Sequence, residues 1–215
     1  MYEQERQAVI DAGRKLHDYR LISLSGGNVS LRLGDHFLVT PSGMGYEGLV
    51  PSDICVVDRE GNLIDGARRP SVDSVALLHI FKEKPEVNAI IHTHQVYATA
   101  IGLVQDQLPA AVTTLINATL GPVNVAPYSS AASLDMGVKT VEHIGESRAV
   151  ILKNHGVVTV GSSLKEALYA AVYLEDAAKT YCVARMMGEP AELTPPQIRE
   201  AVAVFEDYGQ DTEKG

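Results

Sequence analysis

The chain has 215 residues, of which 46% are hydrophobic, and a formal net charge of −9. This hydrophobic share excludes a disordered chain, and the length is sufficient for one large core, so we expect a single domain over residues 1–215. The acidic balance contains no run of like charges. It therefore argues against binding to nucleic acid or to an anionic membrane surface.

The sequence carries no signal for export or membrane insertion. No apolar stretch approaches the roughly 18 residues of a membrane-spanning helix. The segment from Met1 to Arg6 is polar and lacks the apolar core of a signal peptide. Cys55 and Cys182 lie far apart in different predicted elements, so no disulfide framework is implied. These features predict a protein of the reducing cytoplasm.

Hydrophobic periodicity predicts alternating helices and strands along most of the chain. Residues 3–20 have the spacing of an amphipathic helix. Apolar and polar residues alternate over residues 29–33 and again over 37–39, on either side of Gly34 and Asp35, which predicts a β-hairpin. The further predicted strands are 54–58, 87–93, 123–125, 149–153 and 157–160, and the further predicted helices are 71–84, 95–104 and 133–144.

Capping signals mark two more helices near the end of the chain. Ser163 and Glu166 form a capping box that opens a long helix ending near Gly188. Thr194 precedes Pro195 at the predicted start of the last helix. This order of elements predicts a three-layer α/β/α sandwich around a mixed, largely antiparallel sheet, rather than a doubly wound parallel repeat.

Three histidines stand where predicted buried strands end. His92 and His94 close one apolar run, and residues i and i+2 of a strand point to the same face with Cα atoms about 6.5–7 Å apart. Two imidazoles so placed can share a cation about 2.0–2.1 Å from each nitrogen. His155 follows the run 149–153 in the same way. The spacing is compatible with a three-histidine metal site and also with a chance HxH pair in a chain with seven histidines.

Three small polar loops lie at element boundaries, at residues 25–28, 40–43 and 70–71. Glycine allows backbone N–H groups to approach an anion closely, and a helix start offers free N–H groups. Together the loops could hold a phosphate, although each alone is also an ordinary turn or cap. Asp73 follows the last loop. It is either a first-turn acid favoured by the helix dipole or a carboxylate near the metal, acting as ligand or proton carrier.

Five motifs occur in the order and spacing of one known family. They are Gly27-Asn28-Val29-Ser30, Thr40-Pro41-Ser42-Gly43, Pro70-Ser71-Val72-Asp73, His92-Thr93-His94 and Asn154-His155-Gly156. Over residues 5–210 the chain thereby resembles the class II aldolase/adducin family. The resemblance implies the head-like α/β fold of that family and a divalent metal, Zn²⁺ in the first instance.

The resemblance also implies roles for particular residues. The implied metal ligands are His92, His94 and His155, with Asp73 as a further ligand or as the catalytic acid–base group. The implied ligands of the substrate phosphate are Asn28, Ser42, Gly43 and Ser71. The family further implies a C4 homotetramer with active sites between subunits, each completed by a C-terminal tyrosine, and Tyr208 occupies that position as a second catalytic residue.

Some positions depart from the aldolase branch of the family. That branch usually has Glu after two serines, whereas here Val72 replaces the second serine and the acid is Asp73. Asp at this position resembles the epimerase branch, where the acid is a metal ligand. The segment 112–114 lacks the tyrosine of the aldolase branch and is also nearer to the epimerases. Asn117, however, stands where the epimerases have a catalytic aspartate.

The implied activity is that of a metal-dependent aldehyde-lyase. It would cleave a phosphorylated ketose, L-fuculose 1-phosphate or a deoxy relative, to dihydroxyacetone phosphate and an aldehyde through a metal-stabilised enediolate. L-Ribulose-5-phosphate 4-epimerisation and decarboxylation of a 3-oxo sugar-acid phosphate remain open as alternatives. A non-enzymatic adducin-like binding module is the remaining alternative, and the three histidines argue against it.

Overall fold

The computed structural model describes residues 1–206, which form seven α-helices and nine strands. The helices are α1 (Glu3–Asp18), α2 (Ser74–Glu83), α3 (Val96–Val104), α4 (Thr113–Thr119), α5 (Leu134–Ile144), α6 (Leu164–Met187) and α7 (Pro195–Glu206). The strands are β1 (Asn28–Leu33), β2 (His36–Val39), β3 (Cys55–Val57), β4 (Leu63–Asp65), β5 (Ala89–Thr93), β6 (Gln107–Leu108), β7 (Val123–Ala126), β8 (Ala149–Leu152) and β9 (Gly156–Gly161). No helix among these residues is long and apolar enough to cross a membrane.

The strands form one mixed sheet in the order β4-β3-β2-β1-β5-β9-β8-β7-β6. Only β7 and β8 pair in parallel, and the other pairs are antiparallel. Helices α1, α3, α4 and α6 cover one face, and α2 and α5 cover the other. The predicted three-layer α/β/α sandwich with a largely antiparallel sheet is therefore confirmed.

The sheet is buried on both faces because its central strands are apolar at consecutive positions. On β5, Ile90 packs against the α2–α5 layer and Ile91 packs against the α1–α6 layer, and neither is exposed to solvent. On β9, Val158 and Val157 divide between the two faces in the same way. This double burial fixes the strand register, since a slip of one residue would exchange the two sets of side chains.

The predicted elements agree with the structure to within a few residues, and the differences have local causes. Helix α2 begins at Ser74 rather than at residue 71, because the Ser71 N–H still donates to the Thr40 carbonyl at 3.0 Å in an isolated bridge between two loops. Helix α4 and strands β4 and β6 were not predicted. Helix α4 is only seven residues long and contains three threonines, and the two strands have three and two residues.

The capping box of α6 is formed only in part. The Ser163 hydroxyl accepts a hydrogen bond from the Glu166 N–H at 3.3 Å, as predicted. The Glu166 carboxylate, however, accepts from the N–H of Ser162 at 2.8 Å and also pairs with Arg148 at 2.9 Å. Helix α6 nevertheless has the predicted extent, since it ends at Met187 with Gly188 as its C-cap.

Gly156, at the start of β9, permits a close approach between β9 and the end of β5. A Cβ atom there would lie 2.3 Å from the Thr93 carbonyl oxygen and 2.9 Å from Cδ2 of His94. Both distances are shorter than van der Waals contact. The absence of a side chain at this position therefore allows β5 and β9 to pair beside His94.

We expect Gly156→Ala to lower the free energy of unfolding by about 1–3 kcal/mol, the usual cost of forcing an extra carbon into a packed region. Urea denaturation would measure the change. Gly48→Ala is a matched control, because a Cβ atom at Gly48 meets nothing within 4 Å. The control should change stability by no more than about 0.5 kcal/mol. Equal stability of the two variants would contradict the close approach.

Candidate metal centre and active site

The sheet topology brings the three candidate histidines to one place. Strand β5 pairs with β1 and with β9, so that His92 is opposite Asn28 on one side and Val158 on the other. His94 follows the end of β5, and His155 lies in the β8–β9 turn just before β9 begins. Because β5 and β9 are antiparallel, the end of β5 and the start of β9 meet at the same edge of the sheet.

The imidazoles of His92, His94 and His155 face one another at ligand distances. Their candidate ligand nitrogens all lie within 4.8 Å of one another, and the two Nε2 atoms of His92 and His94 are 3.1 Å apart. A tetrahedral ion with Zn–N bonds of 2.0–2.1 Å would require nitrogens about 3.3 Å apart. The three side chains are thus close enough together to share a single divalent transition-metal ion.

The hydrogen bond of His92 to the backbone leaves its Nε2 available to bind a metal. Its Nδ1 lies 2.8 Å from the Val157 carbonyl oxygen, which can only accept, so Nδ1 carries the proton and Nε2 has the free lone pair. Such a bond from the remote nitrogen is the usual way in which proteins orient a metal-binding histidine. Among the described residues, the buried Nδ1 of His155 has no hydrogen-bond partner.

Burial keeps the three imidazoles neutral near pH 7. It lowers the pKa of His92 to about 4 and lowers the pKa values of His94 and His155 below their ordinary range, while the nearby Asp73 carboxylate opposes the shift at each of them. Neutral imidazole is the form that binds a metal. His92 is completely enclosed, whereas His94 is only partly withdrawn from solvent and keeps an exposed surface, so the centre opens to solvent on one side. Three protein ligands with an open side are typical of a catalytic metal site.

Asp73 lies beside this centre at the N-cap position of α2, although its side chain makes no hydrogen bond to that helix. Its Oδ2 accepts a hydrogen bond from Nδ2 of Asn28 at 2.8 Å, and its Oδ1 accepts from the N–H of Ala132 at 3.0 Å. The cluster of metal-ligating atoms found among the described residues consists of the three histidines and does not include Asp73. The predicted role of Asp73 as a metal ligand therefore stays a prediction.

Two of the three predicted phosphate loops lie side by side. The Ser42 N–H donates to the Arg69 carbonyl at 2.9 Å, and the Ser71 N–H donates to the Thr40 carbonyl at 3.0 Å. Ser42 and Gly43 are exposed, with Gly43 at φ +71°, whereas Ser71 is buried. The structure thus brings Ser42, Gly43 and Ser71 together at the start of α2.

Asn28 connects the third loop to this group. Its side chain is buried and donates to Asp73, while its Oδ1 has no hydrogen-bond partner among the described residues. This contact joins Asn28 to the acid as well as to the predicted phosphate loops, so its role as a phosphate ligand stays a prediction. Tyr208, the second predicted catalytic residue, lies outside the described residues.

Sequence reasoning missed the backbone groups that orient the site. The carbonyl of Val157 orients His92, and the N–H of Ala132 holds Asp73. Every residue has these groups, so no motif marks them. A weak signal exists only at Ala132, whose φ of 58° is unusual for a residue other than glycine, and a backbone angle cannot be read from the sequence.

The α/β sandwich carries an open centre of three histidines that could hold a divalent metal ion. Residues 7–182 match the family described as the Class II Aldolase and Adducin N-terminal domain. The chain therefore belongs to the class II aldolase and adducin family, and it is an aldehyde-lyase of that family. The family resemblance predicted from the five motifs is confirmed.

Individual relatives are similar over most of their length. The chain is 32% identical over 213 residues to a 5-deoxy-D-ribulose 1-phosphate aldolase of Bacillus thuringiensis serovar kurstaki, covering 98% of this chain and 99% of the relative. It is 35% identical over 166 residues to an L-fuculose phosphate aldolase of Methanococcus maripaludis, covering 77% and 89%. A solved L-fuculose 1-phosphate aldolase superposes with a TM-score of 0.89 at 30% identity, covering 94% and 95%.

The lowered pKa of His92 predicts a pH dependence of stability in the metal-free protein. Between the ordinary value of about 6.5 and the folded value of about 4, the unfolded chain binds a proton that the folded chain does not. The free energy of unfolding should therefore fall as the pH falls through this window. We expect urea denaturation of chelator-treated protein to show the fall, and His92→Gln to reduce its slope. Identical slopes in the two proteins would refute the assignment to His92.

Proposed function

We propose that the protein is a zinc-dependent aldolase that cleaves a ketose 1-phosphate to dihydroxyacetone phosphate and an aldehyde. The observation that carries this proposal is the open centre of three neutral imidazoles with the Asp73 carboxylate beside it. A divalent ion bound there would supply Lewis acidity toward the carbonyl and an adjacent hydroxyl of the sugar. Zn²⁺ is favoured because three histidines and an open position suit its tetrahedral preference.

Asp73 is the group that moves protons in this proposal. Both of its oxygens accept hydrogen bonds, from Asn28 and from the backbone of Ala132, which fixes the direction of the carboxylate. As a carboxylate it takes the proton of the sugar hydroxyl next to the bond that breaks. It then returns a proton to the carbon that cleavage leaves electron-rich, which balances the reaction.

The loops at residues 40–43 and 70–71 form the phosphate site in this proposal. They lie side by side at the N-terminal end of the ten-residue helix α2, where the helix dipole favours an anion. Gly43 supplies a backbone N–H, Ser42 and Ser71 supply hydroxyl donors, and Asn28 supplies an amide, since the N–H groups of the two serines are already used within the loops. This arrangement holds a phosphate without an arginine or lysine and places the other end of the sugar toward the histidines.

The comparisons favour a deoxy ketose 1-phosphate as the substrate. The relative with nearly full coverage is named for 5-deoxy-D-ribulose 1-phosphate, and other relatives are named for L-fuculose phosphate. Both sugars end in a methyl group, so cleavage of either releases an aldehyde with an apolar end. Asn117 cannot exchange a proton as a carboxylate does, which argues against the epimerase reaction.

A substrate panel would test the reaction directly. We expect dihydroxyacetone phosphate to form from 5-deoxy-D-ribulose 1-phosphate or L-fuculose 1-phosphate, measured with a coupled dehydrogenase. L-Ribulose 5-phosphate should give no D-xylulose 5-phosphate, and a 3-oxo sugar-acid phosphate should release no carbon dioxide. Turnover of either of the last two compounds, without cleavage of the 1-phosphates, would replace the aldolase proposal.

Asp73→Asn tests the proton-carrying role. The amide keeps the size of the side chain but cannot exchange a proton, so turnover should fall by a factor of about 10²–10⁴. Zinc content, measured by atomic emission, should persist because the three histidines remain. Asp135→Asn, at an exposed acid on α5, is the control and should retain full activity. Unchanged activity in Asp73→Asn would exclude the role, and loss of zinc would instead identify Asp73 as a ligand.

We further propose a cytoplasmic homotetramer with active sites shared between subunits. Val72, beside Asp73, is 63% exposed, and Val96, just beyond His94, is 69% exposed, so apolar surface flanks the centre. A neighbouring subunit that brings Tyr208 to the site would cover this surface. The two free cysteines accord with a reducing compartment.

Subunit mixing would test the shared site. Tyr208→Phe and His155→Ala should each be nearly inactive alone, because one lacks the tyrosine and the other a metal ligand. After subunit exchange, verified with differently tagged chains, some interfaces would combine an intact tyrosine with an intact metal centre. Activity should then return in part. No return after verified exchange would exclude sharing between subunits.

A further inference from the structure

Among the described residues, the imidazole of His94 has no hydrogen bond from its second nitrogen, Nδ1, that would orient the ring. His92 is fixed through Nδ1 by the Val157 carbonyl, whereas among the described residues the only polar contact of the His94 ring is with Nε2 of His92 itself. His94 is also exposed and lies beyond the last residue of β5. Apart from its ring contacts with His92 and His155, the position of the imidazole therefore depends on the backbone on either side of it.

The side chain of Gln95 holds the backbone next to His94 against the protein interior. Its side chain is completely buried, its Oε1 accepts a hydrogen bond from the Thr93 hydroxyl at 2.7 Å, and its Nε2 donates to the Ala171 carbonyl of α6 at 3.3 Å. The residues before and after His94 are thus joined to each other and to α6. A buried amide that makes both of these bonds holds its backbone in one place.

Glu175 anchors the same segment one helical turn further along α6. One carboxylate oxygen accepts from the Tyr97 N–H at 2.9 Å, and the other accepts from the Ala98 N–H at 3.0 Å. These are first-turn N–H groups of α3, which starts two residues after His94. Helix α3 has no cap from its own N-cap side chain, so the acid of α6 takes that place.

Ala171, whose carbonyl accepts from Gln95, and Glu175 stand four residues apart, so both lie on the same face of α6. The side chain of Leu174 between them is fully buried in the core that α6 shares with α3. Helix α6 has 24 residues and also packs against β5 and β9. It therefore provides a rigid support for the two-residue connection between β5 and α3.

We propose that Gln95 and Glu175 are positioning residues for the metal centre, holding His94 where it can share an ion with His92 and His155. This inference rests on the proposed binding of a divalent metal by the histidines. Neither residue touches the metal or the substrate in the proposal. They act through the backbone of His94, and a shift of its ring by a fraction of an ångström weakens one of three metal bonds.

The test measures metal binding rather than turnover. Glu175→Gln removes the charge and one of the two acceptor oxygens, and Gln95→Met removes both hydrogen bonds at similar length. The matched control is Asp176→Asn, which removes a charge at the next position of α6, where the side chain is exposed. The affinity for Zn²⁺ is measured by competition with a chromophoric chelator, and the visible spectrum of the Co²⁺-loaded protein reports the ligand geometry.

We expect Glu175→Gln and Gln95→Met each to weaken Zn²⁺ binding by about 10-fold, the usual effect of losing a group that orients a ligand. The Co²⁺ spectrum should change in both variants and remain unchanged in Asp176→Asn. Thermal unfolding of the metal-free proteins separates this role from a merely structural one. A structural role would lower the melting temperature while leaving the affinity and the spectrum of the folded protein unaltered.

The possible failures can be told apart. If the unmutated protein binds neither ion, the proposed metal centre is wrong. If it binds both and Glu175→Gln binds them equally well, with the same spectrum, only the positioning role is wrong. If Glu175→Gln does not fold, Gln95→Met decides the question by the same two measurements, and normal binding there overturns the proposal.

Discussion

Strand β5 pairs with β1 on one side and with β9 on the other, and the fold and the active site both depend on this arrangement. The two ladders place β5 within the sheet, where Ile90 and Ile91 pack into separate cores on opposite faces. The same ladders bring Asn28 beside His92, and they bring the β8–β9 turn with His155 to the end of β5. The close contact at Gly156 is the local condition for this pairing, because any side chain there would collide with the Thr93 carbonyl.

The electrostatics of the site follow from the same burial. Withdrawal from water lowers the pKa values of the three histidines, so the imidazoles are neutral and available as ligands. Asp73 is buried close to them, and its carboxylate accepts hydrogen bonds from Asn28 and Ala132. These bonds fix the carboxylate close to the position of a cation, where the proposed reaction needs a proton carrier.

Family membership and the choice of reaction rest on different parts of the molecule. Family membership rests on residues 7–182, which contain the sheet and the three histidines, and on the similarity of the fold to a solved L-fuculose 1-phosphate aldolase. The family resemblance links the choice of reaction to other positions, namely Val72, Asp73 and Asn117. The proposed positioning residues Gln95 and Glu175 belong neither to the metal ligands nor to the positions linked to the choice of reaction, since they act on His94 through its backbone.

The sequence by itself determined the secondary structure of the long elements, the three-layer class of the fold and the candidate metal ligands. Periodicity and caps depend on neighbouring residues, which is why they can be read along the chain, and the HxH spacing is likewise local. It did not predict α4, β4 or β6, because such short elements carry too few residues for a pattern.

Only the tertiary structure decided which groups meet. It placed the Val157 carbonyl behind His92, the Ala132 N–H on Asp73 and Glu175 at the start of α3. Each of these contacts joins residues far apart in the chain, and most of them use backbone atoms that every residue has. They exist because the packing of buried strands and helices selects one spatial arrangement, and the order of residue types along the chain does not display that arrangement.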